Sequence, residues 1–493
     1  MSLPKKVFVL FFTSILSFVF LSQFFIRSSS TTDMRKGGIN PVLSIIKHVN
    51  DKCTFYKWFD PNTNEKEGKL LLKNCSSCHM AYYKEWINDK HATSQNNPFF
   101  LSIYKQFKQD HPDQNGNCAL CHNPEAVLPD KDTSLGRLND VDLREMRSKK
   151  TNGISCDFCH KIESVNQNPL LKGAAGLKIA RACKGFKDIR FGPLKDPIQP
   201  SNKEELKYNS LFKTSLSCAK CHDGSNGNIQ IYSTFTEWLN SPAAKKGVQC
   251  QSCHMTPRKN ANTIVDNSAK AIHELPQHKQ RPYYEVHSHS FLTENPSAFR
   301  KKYIDLKTET RLIASQQRNT LIVKIIVENN NPGHSFPTGS PMRNAVLLIE
   351  AKDTNGKNLK LIKGLRLPNY AGNLRNKPGK LFAKILAETN SEYAVQHGQA
   401  GIIFRKLATE LGIPAQDWWN IFVLSDTRIK ANGNDISTYE FNVGAPFHGT
   451  QQTGTIKITA KLIWRNTWPG LAELKGIPIN EDILIERDVN LPH

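Results

Sequence analysis

The string Cys250-Gln251-Ser252-Cys253-His254 decides how this chain is organised, and it is one of five copies of a Cys-x-x-Cys-His pattern. The other four copies are Cys75-Ser-Ser-Cys78-His79, Cys118-Ala-Leu-Cys121-His122, Cys156-Asp-Phe-Cys159-His160 and Cys218-Ala-Lys-Cys221-His222. With 12 cysteines and 16 histidines among 493 residues, random order would give roughly 0.01 such strings. Five copies therefore reflect a chemical requirement.

Covalent attachment of haem is the requirement that this spacing satisfies. Thiols three residues apart stand about one helical turn apart and add to the two vinyl groups of one porphyrin, and the histidine that follows ligates the iron. We therefore predict five haem c groups with their iron. The predicted thioether cysteines are Cys75, Cys78, Cys118, Cys121, Cys156, Cys159, Cys218, Cys221, Cys250 and Cys253, and the predicted iron ligands are His79, His122, His160, His222 and His254.

Other uses of paired cysteines fit the pattern less well. A zinc site does not require a histidine after the second cysteine five times in five. A redox dithiol would lie near a βαβ pattern, which this region lacks. A disulfide framework suits an exported chain but does not impose one constant spacing.

The motifs are dense, because all five lie within residues 75–254. Roughly 36 residues per haem are too few to wrap each cofactor separately, since a globin uses eight helices for one. We therefore expect the haems to form part of the core and to lie close together, an arrangement typical of electron conduction.

The fold class that we predict is mixed. Residues 31–305 have few alternating apolar runs and should form a haem-organised domain of short helices and loops. Residues 306–493 lack cysteine, and their apolar or alternating runs at 320–328, 345–353, 436–443 and 453–464 predict a C-terminal β-sandwich. Turn signals at Asp353-Thr-Asn-Gly356 and Asn432-Gly433 support it.

The N-terminus predicts export. Lys5-Lys6 precede residues 7–26, an apolar run long enough to cross a bilayer as a helix. Residues 1–30 are thus interpreted as a signal-anchor, with a cleaved signal peptide as the alternative. Either interpretation places the residues that follow in the periplasm. A signal-anchor would attach them to the cytoplasmic membrane, whereas cleavage would leave them soluble in the periplasm or exported.

Histidines outside the motifs are candidates for the sixth iron position. His91 and His289 are the strongest, and His334 lies in a Pro/Gly turn from which the β-domain would reach back onto a haem. Hydrogen bonding to the backbone is the alternative for His334. Weaker candidates are His111, His273, His278, His287 and His48.

Two features of the sequence lie outside the five motifs. The fragments Lys84-Glu85-Trp86-Ile87-Asn88 and Thr236-Glu237-Trp238-Leu239-Asn240 indicate an internal repeat. Cys53 and Cys183 remain unassigned: they could form a disulfide, or Cys183 within Ala180-Arg-Ala-Cys183-Lys184 could attach a lysine-ligated haem by a single thioether.

The chain resembles the tetrahaem cytochrome c-554 and hydroxylamine-oxidoreductase-like group, with an added C-terminal β-domain. The resemblance rests on the motifs together with Tyr82-Tyr-Lys-Glu-Trp86, His287-Ser-His289-Ser-Phe291, Asn331-Pro-Gly-His-Ser-Phe-Pro-Thr-Gly339 and Ala460-Lys-Leu-Ile-Trp464-Arg465. It implies an exported multihaem c-type cytochrome that transfers electrons. The alternative that it implies is an oxidoreductase acting on a small nitrogen or sulfur compound at one open haem.

The net charge of +22 limits the classes of binding partner that we expect. Because the propionates of five haems offset part of this excess, nucleic acid is not an expected partner. We expect redox proteins, including a membrane quinol-oxidising component or a terminal reductase, and the membrane itself through the N-terminal segment. Whether the chain is also an enzyme stays open, with electron transfer favoured.

Overall fold

The computed structural model describes residues 75–110, 118–128, 153–169, 171–183, 185–199, 202–226, 229–258, 260–266, 280–291, 295–313, 319–388, 421–444 and 455–492. All of them belong to one compact unit, residues 52–493. The predicted membrane segment, residues 7–26, lies outside this set, and within it no helix is long and apolar enough to cross a bilayer.

Short helices dominate the motif-bearing region, as predicted. Each Cys-x-x-Cys-His string lies in or overlaps one of them, so that its two thiols stand one turn apart. The helices of this region are α1 (Cys75–Cys78), α2 (Met80–Ile87), α3 (Pro98–Asp110), α4 (Ala119–His122), α5 (Pro124–Val127), α6 (Cys156–His160), α7 (Ala219–His222), α8 (Thr234–Leu239), α9 (Pro242–Lys245) and α10 (Cys250–His254).

Three small strand pairs, which the sequence did not predict, interrupt these helices. The first and third pairs are antiparallel and the second is parallel. They are β1 (Ile162–Val165) with β2 (Leu177–Ile179), β3 (Asp188–Gly192) with β4 (Glu204–Tyr208), and β5 (Asp223–Asn226) with β6 (Ile229–Ser233). Strands this short carry too little periodicity to stand out in a sequence.

The described strands of the C-terminal part are β7 (Ile304–Ile313), β8 (Asn319–Asn329), β9 (Asn344–Lys352), β10 (Lys360–Lys363), β11 (Gly379–Phe382), β12 (Lys384–Glu388), β13 (Ile421–Asp426), β14 (Gly433–Gly444), β15 (Thr455–Arg465) and β16 (Glu481–Pro492). They form two four-stranded antiparallel sheets, one of order β10-β14-β8-β7 and one of order β11-β9-β15-β16, and β12 and β13 form a separate pair. A helix, α11 (Pro296–Lys301), precedes the sheets, and another, α12 (Pro469–Lys475), lies between β15 and β16.

The two sheets pack face to face around one apolar core, to which both contribute buried side chains such as Leu321, Val323 and Leu347. Strand β8 alternates buried and half-buried residues because only one of its faces meets this core. Strand β9 is buried on both faces, since Val346 and Leu348 pack beneath Trp468 and the start of α12. This difference explains why the run at 345–353 is continuously apolar.

Strands β8, β9, β14 and β15 lie at the four runs from which the sequence predicted strands. The two predicted turn sequences also lie in turns. Gly356 has a φ of +78° and Asn432 a φ of +51°, conformations that glycine and asparagine adopt most readily. The first sheet strand begins at Ile304, close to the predicted domain start at residue 306. The division into domains itself stays a prediction.

Truncation of the sandwich core should destabilise this part of the chain. Leu347 is fully buried, so Leu347→Ala should lower the free energy of unfolding by about 2–5 kcal/mol. Urea unfolding followed by far-UV circular dichroism measures the loss. Ile436→Ala is the control because its side chain is 56% exposed, and it should stay within about 0.5 kcal/mol of wild type. Equal effects of the two changes would contradict the described core.

Candidate haem-binding sites

The imidazoles of four motif histidines are oriented by hydrogen bonds to backbone carbonyls. Nδ1 of His79 donates to the carbonyl of Ile264 over 2.8 Å, and Nδ1 of His160 donates to that of Phe191 over 2.7 Å. His122 and His254 donate in the same way to Ser94 (3.1 Å) and Phe291 (2.8 Å). With the proton held on Nδ1, the lone pair of Nε2 is left for a metal.

Three motif histidines each face a second histidine ring. The ring centroids of His91 and His222 are 6.1 Å apart. Those of His160 and His289 are 6.3 Å apart, and those of His254 and His334 are 6.4 Å apart. Two metal–nitrogen bonds of about 2 Å each, made from opposite sides, place two imidazole centroids about 6 Å apart. The spacing of each of the three pairs therefore suits one iron, which the two imidazoles would hold between them.

The opposing histidines are held by the same kind of bond as the motif histidines. Nδ1 of His91 donates to the Asp89 carboxylate over 2.7 Å. Nδ1 of His289 donates to the carbonyl of His287 over 3.2 Å, and Nδ1 of His334 to that of Ser335 over 3.1 Å. Such outer partners set the ring orientation and raise the basicity of a ligand nitrogen.

Burial keeps the rings of His289 and His334 neutral. Burial lowers the pKa of His289 to about 3, with a further decrease from His160. Burial likewise lowers the pKa of His334 to about 4. Burial alone would raise the pKa of Asp89, but the hydrogen bond from His91 lowers it overall, so this carboxylate stays an acceptor. Neutral imidazole is the form that binds metal.

The five motifs are neighbours in space. The thiols of Cys75 and Cys156 lie close enough for each to shift the pKa of the other, which places the first motif beside the third. Cys121 with Cys221, and Cys218 with Cys250, join the second and fifth motifs to the fourth. The third and fourth are close enough for the charge on Cys221 to raise the pKa of Cys159. All ten motif thiols are free of disulfides.

Buried ions surround the contact between the first and third motifs. Arg190 binds Asp157 through Nε over 3.0 Å, Asp188 through Nη2 over 2.9 Å and Glu204 through Nη1 over 2.9 Å. Lys161, directly after the third motif, pairs with Asp188 as well. Burial lowers the pKa of both His79 and His160, and the charge of Arg190 adds to the decrease, so this cluster acts electrostatically on two haem sites.

The repeat around the two tryptophans is also present in three dimensions. Nε1 of Trp86 donates to the carbonyl of Ile154 over 2.9 Å, and Nε1 of Trp238 donates to that of Val248 over 2.9 Å. Each carbonyl belongs to the residue two positions before the first cysteine of a motif. Both tryptophans therefore hold a haem-attachment segment, as the similarity of the two fragments indicated.

Some sequence predictions fall outside the described residues. They concern His111 and His273, which were candidate ligands, and the weaker candidates His48 and His278.

Cys183 forms a disulfide, so the single-thioether alternative for it is wrong. His287, a weaker candidate, resembles the ligand histidines, because its Nδ1 donates to the carbonyl of Met255 over 2.7 Å.

The sequence did not say which distal histidine faces which motif. The partners of the pairs are separated by 131, 129 and 80 positions, so spacing carries no information on them. The carbonyls that accept hydrogen bonds from Nδ1 could not be predicted from the sequence either, because every residue has a backbone carbonyl.

Two segments of the chain match a known protein family. Residues 74–161 and 193–255 match the family of cytochrome c554 and c-prime, and these two segments contain all five motifs. No curated protein sequence matches the chain. These two segments are thus similar to multihaem c-type cytochromes, a class with covalently bound haem c that transfers electrons. The predicted resemblance is confirmed.

A solved structure shares the fold. The chain is similar to a penta-heme cytochrome c552 from Thermochromatium tepidum, with a TM-score of 0.55 and 19% identity over 85% of this chain and 97% of that one. A β-glucuronidase from Bacteroides uniformis has a TM-score of 0.17 and 11% identity over 38% of this chain and 13% of its own, which is too dissimilar to inform the fold.

Ring orientation predicts two kinds of electron paramagnetic resonance signal. The rings of His160/His289 and His254/His334 are 24° and 22° from parallel, whereas those of His91/His222 are 65° apart. Nearly parallel axial imidazoles give rhombic low-spin ferric signals, and strongly twisted ones give a signal with a larger maximum g value. His91→Ala should therefore remove a large-g signal and leave the rhombic ones.

The matched control for this change is Lys90→Ala, which alters the neighbouring exposed residue and should leave every signal in place. A large-g signal of unchanged intensity in His91→Ala would contradict the pairing of His91 with His222.

Proposed function

We propose that this protein conducts electrons through five covalently bound haems on the periplasmic side of the cytoplasmic membrane. The observation that carries the proposal is the proximity of thiols from different motifs, which lie near enough to shift one another's pKa and so connect all five attachment sites. Because each thiol is an attachment point, neighbouring cofactors would be attached side by side. Haem supplies reversible one-electron iron chemistry when bound.

The residues of the chain suit this role at each site. The motif cysteines fix a haem edge, and the motif histidines offer Nε2 from one side. The rings of His91, His289 and His334 lie at the spacing described above and would offer Nε2 from the other side. Nε2 of His334 lies 3.2 Å from Nδ2 of Asn331 and would exchange that amide for the iron. Two imidazole ligands close the coordination sphere and favour electron transfer over binding of a small substrate. We extend the same ligation to the two remaining sites, with His111 and His273 as the proposed ligands.

Charge supports a role for protein partners. The +22 of the polypeptide exceeds what the propionates would offset, and an excess of positive charge steers acidic proteins to a surface. We propose acidic redox partners, among them a quinol-oxidising membrane component or a terminal reductase. Residues 7–26 would keep the protein near such a component by anchoring it to the membrane.

Haem content and spin state test this proposal together. The purified oxidised protein should contain five haems per chain by the pyridine haemochrome assay. Every haem should be low-spin, and nitrite, hydroxylamine or cyanide should leave the absorption spectrum unchanged, because no iron has a free position. The spectra are recorded before and after each addition.

Two cysteine variants provide the matched comparison. The double change Cys250→Ser and Cys253→Ser should lower the count to four haems, whereas Cys183→Ser should leave five because this residue is in a disulfide. A wild-type count other than five would contradict the haem assignment. A high-spin signal that shifts with nitrite or hydroxylamine would contradict the pure carrier and favour an oxidoreductase with one open haem.

A further inference from the structure

Three short strings occur twice in this chain. They are Glu-Trp, Gly-x-x-Cys-x-x-Cys-His and His-Ser-Phe. The first set consists of Glu85-Trp86, residues 153–160 and His289-Ser290-Phe291, and the second of Glu237-Trp238, residues 247–254 and His334-Ser335-Phe336. In each set the histidine that ends the motif faces the histidine of His-Ser-Phe, with nearly equal ring distances (6.3 and 6.4 Å) and tilts (24° and 22°).

The two glutamates make similar contacts, which differ by one position along the His-Ser-Phe string. In the first set, Oε2 of Glu85 accepts the backbone N–H of His289 over 2.7 Å, and Oε1 lies 3.2 Å from Nε of Arg258. In the second set, Oε2 of Glu237 accepts the backbone N–H of Ser335 over 3.1 Å, and Oε1 lies 2.6 Å from Nη1 of Arg428.

We infer that Glu85 and Glu237 are positioning residues, each of which holds a distal histidine segment opposite its motif histidine. The inference rests on the proposed haem ligation and adds to it. In each set the adjacent tryptophan holds the motif segment, so one short helix, α2 or α8, binds both sides of a haem site. The spacing between the two histidines is thereby set by neighbouring residues of a single helix.

The second set also joins two parts of the chain. His334 lies between β8 and β9 of the sandwich, whereas Glu237 lies on α8 among the motifs. Glu237 accepts a further hydrogen bond from the hydroxyl of Thr338 over 2.7 Å, and the backbone N–H of Ala243 donates to the carbonyl of Pro332 over 3.0 Å. The buried Glu237–Arg428 pair thus holds the sandwich at the position where its histidine meets the fifth motif.

The glutamate is suited to this position. Burial alone would raise the pKa of Glu237, but the charge of Arg428 and the hydrogen bonds from Thr338 and Ser233 lower it overall. The side chain is therefore an ionised acceptor, and hydrogen bonds to a charged acceptor are stronger than those to a neutral one. Loss of the carboxylate would leave Arg428 and the backbone N–H without that partner.

The experiment compares Glu237→Ala and Glu85→Ala in the full-length holoprotein. Each variant should keep all its haems, because no thioether is altered. In each, about one haem in five should change from low-spin to high-spin in electron paramagnetic resonance, as its distal histidine moves out of reach. Added imidazole should restore the low-spin signal by replacing the missing ligand, a response that general destabilisation would not give.

Three further variants separate the possible causes. Asp435→Asn removes an ion pair elsewhere in the sandwich, that of Asp435 with Lys380, and should leave all spin states unchanged. Glu237→Gln keeps an acceptor oxygen but loses the ion pair, so it should give a smaller high-spin fraction than Glu237→Ala. If the alanine variant does not fold, the glutamine variant takes its place in the comparison. His334→Ala removes the ligand itself.

The outcomes distinguish this inference from the proposed function. If His334→Ala produces a high-spin haem and both glutamate variants keep wild-type spectra, the positioning role is overturned and the ligation stands. If His334→Ala also leaves the spectrum unchanged, the ligation at the fifth motif is overturned, and the positioning role of Glu237 with it.

Discussion

Pairs of imidazole rings facing each other across about 6 Å are the constraint on which the rest of this structure depends. Each pair joins segments that are far apart in sequence, and in one pair the second ring comes from the sandwich. Because a shift of about 1 Å would break a metal–nitrogen bond, each segment requires support beyond the histidine itself. That support comes from the carbonyls that accept hydrogen bonds from Nδ1, from the two helices that contain Glu-Trp and from the buried ions around Arg190.

This dependence explains how a region with little apolar periodicity keeps a defined shape. Its helices are mostly one or two turns long, and its strand pairs are short. Such elements are not stable alone, so their positions must come from tertiary contacts. Hydrogen bonds over long sequence separations, such as those from Trp86, Trp238 and His79, provide part of them. Covalent haem attachment would provide the remainder.

The sequence predicted the chemistry of the sites better than their geometry. Five Cys-x-x-Cys-His strings are specific because both thiols and the histidine act on one cofactor, and the sandwich strands followed from apolar periodicity. His91, His289 and His334 were picked out by local context and lie opposite motif histidines. Their pairing, the roles of Glu85 and Glu237, and the contacts between motifs depend on long-range packing, which a single sequence does not encode in any local pattern.

The most direct test of this account is an experimental structure of the haem-loaded protein. We predict an iron between Nε2 of His254 and Nε2 of His334, about 2 Å from each, with the same arrangement for the other two pairs. An iron at the fifth motif whose sixth ligand is not His334, with the sandwich turned away from that haem, would contradict the account.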